Sequence, residues 1–323
     1  PIYYVDCFTT VSEITNNECR ELLDKPADVV LMNGFEDDFV PKGATFTGKR
    51  KRARSTMLRV ANCLLGEDLG DDTLIIGTSG RYEFKNKGID VFLESLNRLN
   101  RDKDLKKKVL AFVNVPSWVG DPREDLQKRL KSKDKFTEPL QCPFITHWLH
   151  NMTHDQVLDM LKYLGMGNRP EDKVKVIFVP CYQDGHDGIL NKHYYDLILG
   201  EDLSVYPSYY EPWGYTPLES VAFRVPTITT DLAGFGLWVN SLKNQHGIND
   251  GVEVLHRSDY NYSEVADGIK DTVALFSTKT EAEIKEIRKR AGQVAEQALW
   301  KHFIQYYYEA YDIALRNAMK RQL

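Results

Sequence analysis

The chain has 323 residues, of which 42% are hydrophobic, so it is long enough for one large domain or two. The formal net charge of −5 excludes a dedicated nucleic-acid-binding protein, because such proteins carry an excess of basic residues. The five cysteines are scattered and form no CxxC pair, which excludes a disulfide scaffold and favours a reducing, cytoplasmic setting. No apolar run is long enough to span a membrane.

The first 34 residues predict a strand, a helix and a second strand. Residues 2–12 favour a strand with a loop end, and Ser12 and Thr15 are candidate caps for the helix that follows. The chain opens on Pro1 instead of Met, inside a strand-like run, so we expect a fragment of a longer protein. Further on, residues 49–54 form the densest basic run, and we favour a solvated helix start there over a polyanion site.

A basic turn follows the apolar strand predicted at 73–77. This turn, residues 80–88, carries Arg81 and Lys87 and precedes an amphipathic helix predicted at 89–99. Cations at the carboxyl end of a strand, beside a helix N-terminus, suit a pyrophosphate. The alternative is a solvated turn that is merely rich in lysine.

Histidines in the middle of the chain are candidate metal or catalytic residues. The spacing of His147, His150 and His154 suggests a metal site, but a predicted turn at 151–155 separates them, so we expect no metal. His186 lies in a polar loop, where a structural or solvent-facing histidine is more common than a catalytic one. No cofactor is expected either.

The stretch at 206–219 combines a strand end, a turn and a helix start. Glu211 and Glu219 bracket the turn, and the helix is predicted to begin with Thr216 as N-cap and Pro217 in the first helical position. Free backbone N–H groups at a helix start bind anions, and ligands of open α/β sheets lie at the carboxyl ends of strands. The alternatives are a capping role alone for Glu219 and a surface position for Glu211.

Together these segments resemble the glycogen synthases of the animal and fungal type, which are retaining glycosyltransferases of family three with a two-lobed fold. The run Tyr-Glu-Pro-Trp-Gly-Tyr-Thr-Pro is specific to that family, whereas the spacing of the two glutamates is shared by many two-lobed glycosyltransferases. The resemblance covers nearly the whole chain and is carried by residues 8–15, 33–34, 80–88, 174–178, 206–219 and 225–236.

The resemblance implies an α/β fold, a Rossmann-like parallel sheet with helices on both faces that forms the C-terminal lobe of a GT-B enzyme. It assigns residues 1–34 to the tail end of the N-terminal lobe and 35–70 to an interlobe segment. Residues 71–280 would form the nucleotide-sugar-binding lobe, and 281–323 a C-terminal helix that crosses back toward the N-terminal lobe. Most of the N-terminal lobe would then be missing, so we expect weak UDP binding and no glucose transfer.

The implied activity is retaining transfer of glucose from UDP-glucose to the nonreducing end of an α-1,4-glucan, as in glycogen biosynthesis. Arg81 and Lys87 would take the charge of the leaving pyrophosphate. Glu211 would lie beside the donor glucose, and Glu219 would hold the ribose hydroxyls. The other residues expected to contact the substrate are Tyr194, which matches the tyrosine that stacks on uracil, and Trp213, Gly214, Tyr215 and Thr216.

The implied partners are the UDP-glucose donor, a glycogen or α-glucan acceptor and a second copy of the chain, with no nucleic acid and no membrane. The insertion that builds the tetramer in eukaryotic members is short here, at 121–135, which puts that assembly in doubt. The helix that senses glucose-6-phosphate carries only Arg288, Lys289 and Arg290, so we expect weak or absent control. Two alternatives stay open: a GT-B enzyme that uses ADP-glucose or another acceptor, and a non-catalytic, glucan-associated regulatory protein.

Overall fold

The computed structural model describes residues 2–321, and its first part is a small β-α-β unit. Strand β1 (Thr9–Thr10) pairs in parallel with β2 (Val29–Val30), and helix α1 (Glu13–Leu23) connects them. Ser12 caps α1 as predicted, because its hydroxyl accepts the backbone N–H of Thr15. The strand predicted at 2–12 is shorter than expected, since Ile2–Tyr4 form a 3₁₀ turn, and Pro1 lies outside the described residues.

Strands and helices alternate through the rest of the chain. The remaining strands are β3 (Leu74–Ser79), β4 (Val109–Asn114), β5 (Val119–Pro122), β6 (His147–Leu149), β7 (Val174–Val179), β8 (Leu203–Val205), β9 (Thr227–Thr230) and β10 (Val252–Leu255). The remaining helices are α2 (Gly43–Leu65), α3 (Ile89–Asn100), α4 (Glu124–Lys131), α5 (Gln156–Leu164), α6 (Tyr194–Ile198), α7 (Tyr215–Ala222), α8 (Gly234–Asn240), α9 (Tyr262–Ser277), α10 (Glu281–Gln297) and α11 (Trp300–Arg321). Between residues 2 and 321, no helix has both the length and the apolar character to cross a bilayer.

Six of these strands form one parallel sheet in the order β10-β9-β8-β3-β4-β7. The chain runs outward from β3 through β4 to β7, and then returns to place β8 on the other side of β3. The carboxyl ends of β3 and β8 therefore flank a topological switch point, which is where open α/β sheets bind ligands.

The sheet is covered on both faces, as a parallel sheet requires. Side chains alternate along each strand, so that Leu74 and Ile76 join a core with α3 and α9, while Ile75 joins a second core with α2. The predicted Rossmann-like sheet with helices on both faces is confirmed. β5 and β6 form a separate antiparallel pair.

The single C-terminal helix expected over residues 281–323 is wrong in one respect, because the helix is interrupted between α10 and α11. Phe35 causes the break: its N–H donates to the Ala298 carbonyl at 3.3 Å, and its carbonyl accepts the Trp300 N–H at 3.2 Å. This pairing from a distant segment replaces helical hydrogen bonds. α11 then packs against β2, so both ends of the chain meet.

The basic run at 49–54 lies in α2, and its solvated interpretation is wrong for two of its residues. Arg50 and Arg54 bind the Asp202 carboxylate, with N–O distances of 2.6 Å and 2.7 Å. Burial alone would raise the pKa of Asp202, but Arg54 and Arg50 outweigh it and hold that pKa below its ordinary value. Within the run at 49–54, Lys51 and Arg52 lie on the outer face of α2 and are the exposed residues.

Candidate functional site

The loop after β3 packs tightly against the loop after β8. Gly88 ends the first loop with φ +67°, and a Cβ added there would lie 2.0 Å from the Pro207 carbonyl oxygen. Both the left-handed backbone and this close approach require glycine. The N–H of Tyr209 donates to the Asn86 carbonyl at 2.8 Å, which ties the two loops together a second time.

This contact brings Lys87 and Glu211 together at the switch point. The Lys87 ammonium forms an ion pair with the Glu211 carboxylate, and their side chains are only 13% and 19% exposed. The Glu211 backbone is fixed by two hydrogen bonds of 3.0 Å, from its N–H to the Leu232 carbonyl and from the Gly234 N–H to its own carbonyl. A cation that can take a phosphate and an acid that can hold hydroxyls thus share one crevice.

Arg81 lies on the same loop as Lys87 but faces solvent. Its side chain is 75% exposed and pairs with Glu83 at 3.0 Å. The structure thus joins Lys87, but not Arg81, to Glu211. Because a surface pair of this kind contributes little to stability, the Arg81 side chain can exchange Glu83 for an anion in the crevice.

The N-terminus of α7 differs from the prediction. Gly214, with φ +108°, is the N-cap, and Tyr215 is the first helical residue, so Thr216 as N-cap and Pro217 in the first helical position are wrong. The left-handed backbone of Gly214 starts the helix earlier than side-chain capping would. Glu219 makes no capping bond.

Instead, the Glu219 carboxylate accepts the Tyr195 hydroxyl at 2.8 Å. Burial raises the pKa of Glu219. Tyr195 stacks on Phe39 from the segment before α2, with ring centroids 5.1 Å apart. Tyr195 was not among the predicted site residues, and its adjacency to Tyr194 was the only signal for it. The Tyr194 hydroxyl lies 2.7 Å from Ser79 Oγ at the end of β3.

Trp213 is 3% exposed and packs inside the lobe. Its ring centroid lies 6.0 Å from that of Trp238, 6.1 Å from that of Phe235 and 6.0 Å from that of Phe303. Trp213, which the resemblance places at the substrate, is thus packed in the core. Its neighbours Tyr215 and Thr216 lie in the first turn of α7, where Tyr215 is 48% exposed.

Glu201, which the sequence analysis did not identify, is a buried carboxyl in the polar layer beneath the crevice. Glu201 is 3% exposed and accepts the Ser204 hydroxyl, while Gly77 in β3 leaves room for it, since a Cβ there would lie 2.1 Å from Glu201 Oε1. Burial raises the pKa of Glu201 to about 8. Tyr206, at the end of β8, bonds through its hydroxyl to Ser79 at 3.5 Å and continues this polar layer toward the crevice.

One group within residues 2–321 has the composition of a metal site: His147, Cys181 and Asp187, whose ligand atoms lie within 4.8 Å of one another. The His147 Nε2 already bonds the Asp187 carbonyl at 2.7 Å, and its Nδ1 bonds Thr146 at 2.8 Å. Burial raises the pKa of the Cys181 thiol to about 12. The geometry is that of a hydrogen-bonded core, which does not fit a metal.

Known structures share the fold. A sucrose-phosphate synthase from Thermosynechococcus elongatus superposes with a TM-score of 0.53 and 17% identity, over 99% of this chain and 59% of that structure. The Anabaena protein HepE, solved in complex with UDP and glucose, superposes with a TM-score of 0.54 and 16% identity, over 96% of this chain and 63% of that structure. At these identities the likeness concerns the GT-B fold alone, which agrees with the predicted lobe.

Sequence relatives are more specific. The family described as glycogen synthase matches residues 2–122 and 121–323. The chain is 29% identical to isoform 2 of glycogen [starch] synthase from Saccharomyces cerevisiae, over 98% of this chain and 54% of the relative. It is 28% identical to the Neurospora crassa glycogen [starch] synthase, over 97% of this chain and 52% of the relative. The chain spans about half the length of these curated relatives, and it belongs to the glycogen synthase family.

Proposed function

We propose that this chain is the nucleotide-sugar-binding lobe of a retaining glycosyltransferase that transfers glucose from UDP-glucose to an α-glucan. The observation that carries the proposal is the ion pair between Lys87 and Glu211 at the carboxyl ends of β3 and β8. Family membership and the names of the relatives support a glucan acceptor. The UDP and glucose bound to the Anabaena neighbour support a uridine-linked sugar donor.

Lys87 stabilises the diphosphate leaving group. When the bond between the glucose C1 and the diphosphate oxygen breaks, negative charge develops on the β-phosphate. When the donor binds, Lys87 exchanges its pairing with Glu211 for this phosphate and Arg81 moves in from solvent, so that both cations are in place before the bond breaks. The first turn of α7, with Tyr215 and Thr216, adds backbone N–H groups that have no helical acceptor. Electrostatic groups preorganised in this way lower a barrier by about 3 kcal/mol for each donor.

Glu211 binds the glucose of the donor. Once Lys87 turns to the phosphate, the Glu211 carboxylate accepts hydrogen bonds from the sugar hydroxyls. Its negative charge also favours the positive, oxocarbenium-like sugar of the transition state. The two hydrogen bonds on the Glu211 backbone hold this charge in place, so little reorganisation is needed during the reaction.

Glu219 and the tyrosines before it serve the nucleoside. Glu219, oriented by the Tyr195 hydroxyl, accepts the ribose hydroxyls, and Tyr194 lies against the base. Gly214 gives the backbone room at the diphosphate, while Trp213 holds the loop from within the lobe. The buried layer of Ser79 and Tyr206 keeps this side of the crevice rigid.

We assign residues 71–280 to the nucleotide-sugar lobe, 1–34 to the tail of the N-terminal lobe, 35–70 to an interlobe segment and 281–323 to the crossing-back helices. A cytoplasmic setting and self-association remain proposals. Weak control by phosphorylated sugars is supported by Asp202, which already neutralises Arg50 and Arg54 beside Arg288.

Isothermal titration with UDP tests the proposal on the chain as it stands. We expect saturable UDP binding that Lys87→Ala weakens at least tenfold, because about 1.4 kcal/mol of charge-assisted bonding is lost. Lys85→Ala is the matched control, since Lys85 lies in the same loop and is exposed. Equal affinity of the two variants contradicts the assignment of Lys87. Tighter binding of ADP than UDP points to the ADP-glucose alternative, and absence of nucleotide binding points to the regulatory one.

A further inference from the structure

Two amide side chains lie next to Tyr194 at the carboxyl edge of the sheet. The Gln183 Nε2 donates to the Asn114 Oδ1 at 2.9 Å, and the Gln183 carbonyl accepts the Tyr194 N–H at 3.0 Å. Asn114 is the last residue of β4, and Gln183 lies in the loop that leads from β7 to α6. No role proposed above uses either side chain.

The register of the sheet places Asn114 on the face that carries Tyr194. Ser79 and Asn114 are direct partners in the pairing of β3 with β4, and neighbouring strands are about 4.8 Å apart. Leu110 and Phe112 of β4 join the core with α2, and because side chains alternate along a strand, Asn114 points to the same face. The Ser79 Oγ on this face lies 2.7 Å from the Tyr194 hydroxyl. Asn114 is therefore one strand away from that tyrosine.

Both amides are only partly satisfied by the protein. Asn114 is 8% exposed, so its amide has lost most of its contact with water. Within residues 2–321, the Asn114 Nδ2 and the Gln183 Oε1 have no hydrogen-bond partner, and both atoms keep solvent-accessible surface. The pair therefore presents one donor and one acceptor that a ligand can reach. Rotating both amides by 180° would exchange the two roles but leave one donor and one acceptor.

This donor and acceptor suit the edge of a nucleobase. Uracil carries an N3–H donor beside a carbonyl acceptor, so its edge can form two hydrogen bonds with the pair. Stacking on an aromatic ring tolerates any base, whereas bonds to the edge fix how the base is oriented. The pair is uncharged, which suits a neutral base and not the diphosphate. In a purely structural pair, the free groups would bond to the protein, as buried polar groups usually do.

We propose that Asn114 and Gln183 bind the edge of the donor's nucleobase while Tyr194 lies against its face. The position of the base rests on the proposed function, because that function places the base at Tyr194. The two amides fix the rotation of the base, and with it the direction in which the ribose extends toward Glu219.

Calorimetric titration of the chain with UDP, N3-methyl-UDP and inorganic pyrophosphate tests the contact. The methyl group removes the N3–H donor, so we expect the native chain to bind N3-methyl-UDP about tenfold more weakly than UDP, a difference of about 1.4 kcal/mol. Gln183→Leu should weaken UDP binding about tenfold and bring the two nucleotides to within twofold of each other. Asn114→Leu should give the same result from the other member of the pair.

Pyrophosphate reports whether the variants keep the diphosphate site. Its affinity should stay within twofold in both variants, because Lys87 holds the diphosphate in the proposed function. Gln305→Leu is the matched control, since Gln305 is exposed on α11, and it should leave all three affinities within twofold.

Unchanged UDP affinity in Gln183→Leu overturns the inference. A tenfold difference between UDP and N3-methyl-UDP that persists in the variant also overturns it, because the pair would then not contact the N3–H. Equal losses of UDP and pyrophosphate affinity show a structural role alone and overturn it as well. In these three cases the native chain still binds UDP, so the proposed function is not contradicted.

A native chain that does not bind UDP or ADP contradicts the proposed function and overturns the inference with it. Tighter binding of ADP than UDP by the native chain contradicts the uridine donor alone. A tenfold loss of ADP affinity in Gln183→Leu, with pyrophosphate affinity unchanged, would then still support the contact with the base.

Discussion

Glu201 offers a quantitative test of the polar layer beneath the crevice. Its carboxyl is 3% exposed and burial raises its pKa from 4.5 to about 8. The charged groups nearest to it are Asp202, which also raises this pKa, and Arg50 and Arg288, which bond its backbone carbonyl at 2.7 Å and 3.4 Å. At neutral pH the folded protein therefore keeps Glu201 protonated, whereas the unfolded chain ionises it.

The sign follows from proton binding. Between pH 4.5 and about pH 8 the folded state binds one proton more at Glu201 than the unfolded state. The contribution of Glu201 to stability is therefore fully present below pH 4.5 and decreases as the pH rises to about 8. At about 1.4 kcal/mol for each pH unit, the decrease between pH 5 and pH 8 amounts to about 4 kcal/mol.

Glu201→Gln removes this titration while keeping the shape of the side chain. Urea unfolding at pH 5, 6, 7 and 8 should show the variant gaining about 4 kcal/mol relative to the native protein across that range. Glu296→Gln, an exposed position on α10, controls for the exchange of glutamate for glutamine. A difference between Glu201→Gln and the native protein that does not change with pH would refute the reasoning.

Asp202→Ala leaves two partly buried guanidiniums without their acid, so we expect a loss of about 3 kcal/mol in urea unfolding, and unchanged stability would contradict this ion cluster. Gly88→Ala places a methyl group against the Pro207 carbonyl in a left-handed backbone, which should cost about 2 kcal/mol or more and weaken UDP binding. Full UDP affinity in Gly88→Ala would show that the two loops need not touch. Tyr195→Phe removes the donor that orients Glu219, so UDP affinity measured by calorimetry should fall about threefold to tenfold, whereas an unchanged affinity argues against a ribose contact.

Much of the lobe was predictable from local pattern. β3, β4 and β7 are buried strands of six mostly apolar residues, and strands buried on both faces have this composition. Turns with charged residues follow β3 and β8, and the rule that ligands lie at carboxyl ends of strands pointed to both turns. The family resemblance added the sheet architecture, which the strand order confirms.

Other features depended on contacts that local pattern does not contain. The C-terminal helix expected over residues 281–323 is interrupted because Phe35, far away in the chain, pairs with Ala298 and Trp300. The alternative in which Glu219 only caps its helix is wrong, because Gly214 starts α7 and the Tyr195 hydroxyl is the partner of the carboxylate. Each outcome is a tertiary contact that overrides a local preference.

By itself, the sequence determined most of the strands and helices of the lobe, and which turns carry charge, because hydrophobic periodicity acts over a few residues. Only the tertiary structure decided that Lys87 contacts Glu211, which is 124 positions away in the sequence. It also decided that Asp202 pairs with Arg50 and Arg54 of α2, and that burial keeps Glu201 protonated. Charge pairing and desolvation depend on which groups are neighbours in space, and the order of strands in the sheet sets those neighbours.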